Sequence, residues 1–181
     1  DLVVDATANP DTFVMLAALC KRAGVALVWG EVFAGGFGAL MARSRPGLDA
    51  DPLSIRAHVF GTMGTMQPAP RVEARRYALD VAGRVLVAGD AEVSHLAAAM
   101  TAFAVDAVCS RDASEYPVAA YLLGFKKFWE FKAPFDTIPI ACPGASEAAP
   151  AQALSVDEVS ALGELVKAVQ GGAGAAGNSS P

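Results

Sequence analysis

The chain has 181 residues, of which 54% are hydrophobic and 18% charged, with a net charge of -5. That is ample apolar material for one packed domain plus a tail, and it lacks the broad basic footprint of a nucleic-acid binder. No apolar run reads as a membrane span, because Arg, Asp, Gly or Pro interrupts each candidate. The first residues also lack the charged-then-apolar order of a signal peptide, so the cytoplasm is the expected compartment.

Residues 1 to 5, Asp-Leu-Val-Val-Asp, alternate too little for a half-exposed strand and suit one buried on both faces of a helix-covered parallel sheet. Asn9, Pro10 and Asp11 are a helix start: Asn caps, Pro fits the first turn and Asp favours the positive end of the dipole. The helix carries Phe13, Leu16, Leu19 and Cys20 on one stripe, with Lys21 and Arg22 near its end and Gly24 as its stop. The strand "VALVWGEVF" at 25 to 33 completes a βαβ unit whose right-handed crossover makes its two strands parallel. Gly35, Gly36 and Gly38 then predict a tight bend between two strand segments. They do not make a dinucleotide fingerprint, since no Gly-x-Gly-x-x-Gly stands between strand and helix.

From Arg43 to about Pro70 the composition predicts an irregular excursion with a short helical stretch around 53 to 60. "VEARRYALDV" reads as a short helix presenting Arg71, Arg75 and Arg76 to solvent. A core helix begins at Asp90 or Ala91 and carries Val93, Leu96, Met100, Phe103 and Ala107 at helical spacing to about Cys109. "AAYLLGFKKFWEFKAPF" reads as two strands around Gly124 and Phe125, with alternation through Phe128-Trp129-Glu130-Phe131-Lys132. An Ala/Pro/Gly linker spans 143–154. Ser155 and Glu158 form a capping box before a helix at 155–170 striped by Val156, Val159, Leu162 and Val166, and 171–181 reads as a disordered tail.

The three cysteines form no Cys-x-x-Cys pair, and the two histidines, His58 and His95, are far apart in sequence, which argues against a dedicated zinc site. Cys20 and Cys109 sit in apolar helical patterns and read as small hydrophobes. Cys142, beside Pro143 and Gly144, reads as more exposed.

Taken in order, "DLVVDATAN", "VALVWGEVFAGGFGAL", "DAEVSHLAAAM" and "AAYLLGFKKFWEF" resemble the second half of the ThiF/MoeB adenylyltransferase domain. "ARSRPG" and "FWEFKAPFDTIPI" resemble its bacterial ubiquitin-activating-like branch. The resemblance covers residues 1–142. It implies an α/β, Rossmann-like sheet of which only the second half is present, with a C-terminal hairpin and helix. It also implies ATP- and magnesium-dependent activation of a carboxylate, commonly the C-terminus of a ubiquitin-like protein.

The partners it implies are that substrate, the N-terminal half of the same domain and a second copy in a homodimer, with neither nucleic acid nor membrane. The family's glycine-rich nucleotide loop belongs to the half that would precede "DLVVDATAN", so ATP binding is expected to need that half. By resemblance, Asp5, Thr7 and Asn9 stand at the nucleotide and Asp5 is the candidate magnesium ligand. The family's strand-end motif is Asp-x-Thr-Asp-Asn, and Ala8 takes the place of its metal-binding carboxylate. Its crossover cysteine has no counterpart at 43–88. The alternative reading is a non-catalytic dimerisation or docking module of the same fold. A nucleotide-linked oxidoreductase, lacking a cofactor fingerprint, ranks last.

Overall fold

The computed structural model describes residues 1–66, 78–81, 84–110 and 114–145, all within a compact unit spanning Asp1–Ala151. Of the linker, helix and tail expected at 143–154, 155–170 and 171–181, only 143–145 are described, with Gly144 bridging to Asp49; the remainder, and Arg71, Arg75 and Arg76, lie outside the described residues.

Strand β1 (Leu2–Asp5) leads through helix α1 (Pro10–Ala23) to β2 (Ala26–Val32), which pairs with β1 in parallel. Asn9 Oδ1 accepts hydrogen bonds from the Asp11 and Thr12 N–H groups at 2.9 and 3.2 Å, occupying donors that the first helical turn leaves without a partner. Gly24, at φ 64°, ends α1 in the left-handed conformation. The chain then folds back at Phe33–Phe37, with Gly35 and Gly36 at positive φ, into β3 (Gly38–Ser44), antiparallel to β2.

Helix α2 (Pro52–Thr65) follows, then the hairpin of β4 (Ala78–Val81) and β5 (Arg84–Val87), then α3 (Asp90–Cys109). Strands β6 (Ala120–Gly124) and β7 (Thr137–Ile140) complete an open mixed sheet of five strands in the order β1-β2-β3-β6-β7. With three helices among the described residues, this is an α/β architecture compatible with a Rossmann-like fold.

Neighbouring residues on β2 point to opposite faces. Val28 joins Met41, Leu96, Met100, Phe103 and Tyr121 in the core under α3, while the Trp29 ring meets Phe13 of α1 at 5.1 Å. Gly30 lets α3 come close: a Cβ there would lie 2.5 Å from Met100 Sδ. At the far end of β3, Gly38 and Gly124 are cross-strand partners, and the buried Phe131 ring lies over both.

Several expectations are corrected. Strand β1 is an edge strand, not one covered on both faces: Val4 is 49% exposed. Beside it, Leu2, Val4, Met100, Val105, Val108 and Cys109 line an apolar groove of about 470 Å3. Helix α2 is longer than the stretch read at 53 to 60, because Asp51 caps it through the Ser54 N–H and hydroxyl and Ile55 and Val59 are buried. The segment read as a helix at 72–81 ends in strand β4, whose partner β5 follows after only Ala82 and Gly83.

The alternation at 128–132 is no strand. Trp129 and Phe135 have φ of 58° and 66°, and Phe128, Trp129 and Phe131 pack as a cluster around Phe37. The partner of β6 is β7, beyond residues 125–136. Val93 is exposed rather than core. Helix α3 also has the length and apolar composition to cross a membrane, the one such helix among the described residues. Here it buries Leu96, Met100, Phe103 and Asp106.

Candidate functional site

The parallel pair β1 and β2 opens at its carboxyl end onto the turn Asp5–Asn9, the place where α/β sheets commonly receive ligands. Local hydrogen bonds shape that turn. Asp5, 4% exposed, accepts at Oδ1 from the Thr7 N–H at 2.9 Å and from the Thr7 hydroxyl at 2.7 Å. Thr7 Oγ1 in turn accepts from the Asn9 N–H at 3.3 Å, and Asn9 caps α1. Asp5, Thr7 and Asn9 are thus brought together, each with a polar atom engaged inside the turn. Ala6 and Ala8 bring no polar side chain to the turn, and Ala8 is held at φ 50°. That left-handed conformation costs an L-residue about 1–2 kcal/mol, and strain of this kind is concentrated at functional turns.

A pocket lies on each side of Ala8. On the α1 side the lining includes Asp5, Asn9, Phe13, Trp29, Glu31 and Arg56. Arg56 of α2 donates to both carboxylate oxygens of Glu31 on β2, at 2.8 and 3.1 Å, and lies over the rings of Phe13 and Phe60. This forked pair is fixed by geometry as well as charge. The indole Nε1 of Trp29 is buried and has no hydrogen-bond partner. On the α3 side the second pocket is apolar, lined by Val32, Val93, Leu96 and Met100 with Thr7 and Ala8 at its rim. The turn therefore separates a polar recess from an apolar one.

Trp29, Glu31 and Arg56 were not singled out from the sequence. Glu31 did carry a signal, as the one acidic residue inside the apolar run "VALVWGEVF". Its partner sits 25 positions away on α2, a distance that no local spacing rule spans.

A metal held by this chain alone would rest on Asp5. Among the described residues no group of three or more His, Cys, Asp or Glu side chains comes together, and Asp5 Oδ1 is committed to Thr7. Ala8 adds a methyl group where a second carboxylate would be needed. The described residues do not make a metal centre.

The thiols match the expectation at Cys20 and depart from it at Cys109. Cys20 is buried, and burial pushes its thiol up to about 11. Cys142 is half-buried and raised by burial and by nearby Asp49. Cys109, read as a core hydrophobe, is the exposed one and lines the groove beside β1. Its place on the last turn of α3, past the buried Ala107, turns it off the core stripe.

No protein-family model, no curated protein and no solved structure matches the chain.

Proposed function

We propose that this chain is the second half of an adenylyltransferase domain that activates a carboxylate, with the C-terminus of a ubiquitin-like protein as its substrate. One observation carries the reading: the motif "DLVVDATAN" forms a parallel edge strand ending in a strained, pocket-flanked turn, while its outer flank is an apolar groove. Strands of parallel sheets are ordinarily covered, and an open apolar edge invites another strand. The N-terminal half of the same domain is the proposed neighbour. It would bring the residues that hold ATP, placing the nucleotide near Asp5, Thr7 and Asn9, and it would supply the magnesium ligands that the described residues do not assemble. This chain would build the floor of the site and orient the carboxyl tail along the segment 30–45. A homodimer and a cytoplasmic setting are part of the same proposal.

The full-length protein should catalyse ATP–pyrophosphate exchange that depends on a carboxyl-terminal peptide. No exchange from a folded full-length protein overturns the reading. A second reading, a non-catalytic docking module of the same fold, is favoured by the methyl group of Ala8 at the motif's carboxylate position. Under that reading, nucleotide titration of the full-length protein with magnesium present gives no binding.

A further inference from the structure

We infer that the free edge of β1 and the outer face of α3 form a docking site for one further β-strand with uncharged aliphatic side chains at alternate positions, supplied by the N-terminal half of the domain. The inference deepens the reading above and rests on it for the strand's origin. Leu2, Val4 and Ala6, alternate residues along β1 and into its turn, line the groove together with α3. On the α3 side Val105 and Val108 are 57% and 52% exposed. From Leu96 to Cys109 the one charged residue of α3 is Asp106, buried against Arg43. The Thr101 hydroxyl is bonded within the helix to the Ala97 carbonyl at 2.9 Å. The helix side of the groove therefore asks its occupant for neither charge nor hydrogen bond. From Ala97 to Cys109 the groove follows α3 for about 18 Å, the length of a strand of five or six residues. Its volume of about 470 Å3 lies where such a strand would turn every second side chain inward.

Backbone and charge decide between occupants. The outer edge of β1 presents main-chain donors and acceptors that no other strand among the described residues meets. A lipid surface offers no such groups in register, and the net charge of -5 opposes an anionic bilayer. A second copy fits the edge poorly. About a two-fold axis two β1 strands run antiparallel, and residues directly opposite share a face. Val3 opposite Val3 sets Asp1 against Asp5, carboxylate against carboxylate, and Val4 opposite Val4 sets each Asp5 against Val3. The first register repels, and the second buries a carboxylate on an apolar side chain. A different strand, with no acid facing Asp5, escapes both costs. The other edge of the sheet is no rival, because β7 carries Pro139, which has no N–H.

The test is a 15N–1H titration of the 181-residue chain with a nonapeptide that carries valine, isoleucine and valine at alternate positions, serine and threonine between them and lysine at both ends. A control peptide has the same composition with its three aliphatics consecutive. The patterned peptide is expected to shift the amide signals of Leu2–Asp5 and of the second half of α3 saturably, with a Kd below about 1 mM, and the control to bind at least tenfold more weakly. Val105→Asp, at an exposed position, should leave the fold intact and weaken the patterned peptide at least tenfold by placing a charge in the groove. The full-length protein, its edge filled by its own strand, should bind the peptide at least tenfold more weakly than the chain does. Unmoved β1 signals, or equal binding of both peptides, overturn the site. Equal binding by the full-length protein overturns the assigned strand, and self-association of the chain that Val105→Asp abolishes would put a second copy there and overturn it too. No nucleotide enters the titration, so failure of docking and failure of pyrophosphate exchange are told apart.

Discussion

Replacing Asp106 with Asn should be among the most damaging single-atom changes available in this protein. Asp106, on α3, is 6% exposed and receives the Arg43 guanidinium from β3, the Ser114 hydroxyl at 2.6 Å and the Glu115 N–H at 3.1 Å. Arg43, 1% exposed, also donates to Ser114 Oγ and to the Tyr116 carbonyl at 3.0 and 2.7 Å. The pair thus ties the central strand β3 to the end of α3 and to the segment leading into β6. Removing one partner of a buried ion pair costs about 3–5 kcal/mol, since it strands the other charge. Asp49 Oδ2, 3.8 Å from Arg43 Nε, still offers a countercharge, which puts Asp106→Asn near the lower end, about 3 kcal/mol.

An Arg43→Met background strands the Asp106 carboxylate instead, so there the same substitution removes an unpaired buried charge and should be neutral or stabilising. Urea unfolding followed by circular dichroism at neutral pH measures all four corners of the cycle. Equal costs in both backgrounds would refute the reasoning. A pH series gives a second check. Burial by itself pushes the Asp106 carboxyl up, but the Ser114 hydroxyl, the Glu115 N–H and the Arg43 guanidinium outweigh it and hold it below the usual range. Because the folded value lies below the unfolded one, its contribution is present above the unfolded value of about 4 and is lost as pH falls through the folded value. Asp106→Asn should lack that acid-side loss.

Ala8→Gly removes left-handed strain of about 1–2 kcal/mol and adds about 0.5–1 kcal/mol of backbone entropy to the unfolded chain, for a net gain of about 0.5 kcal/mol in thermal unfolding. A clear loss would mean that the turn is not held at positive φ. Ala8→Asp should fold equally well, since Asp tolerates this conformation, and isothermal titration then shows whether a second carboxylate beside Asp5 suffices for magnesium. Gly124→Ala should cost about 1–3 kcal/mol by overpacking, because its Cβ would fall 2.5 Å from the Phe131 ring. Combining it with Phe131→Ala should cost less than the sum of the two, and strict additivity would contradict the contact. In native buffer a thiol reagent should modify Cys109 quickly and leave Cys20 untouched until urea unfolds the chain. Rapid labelling of Cys20 would contradict its burial.

The first βαβ unit was legible in local chemistry because each signal acts within a few residues. Asn9 caps and Pro10 fits the first turn, while Gly24 supplies positive φ and the aliphatics of β1 and β2 exclude water. The same holds for the turn at Gly35 and Gly36 and for the stripe Leu96, Met100, Phe103 and Ala107. The hydrogen-bonded set Asp5, Thr7 and Asn9 was likewise visible as a cluster of short polar residues after a strand.

Other features depended on partners remote in the chain. The position of β1 at the sheet edge follows from which strands find neighbours, and its own four residues carry no record of that. The aromatic alternation at 128–132 resembles a strand until Phe37, Gly38 and Gly124 are brought beneath it, and then the same rings make a packed loop. The polar recess is also a tertiary product. Trp29 and Asp5 line it together because two strands pair in a particular register, and Glu31 is neutralised by an arginine from a different helix. The sequence by itself determined the local elements and the polar turn, through capping, glycine conformations and apolar periodicity. Only the tertiary structure decided which strand was left open, which cysteine faced water and which buried indole lacked an acceptor, because each depends on contacts between segments that no local pattern encodes.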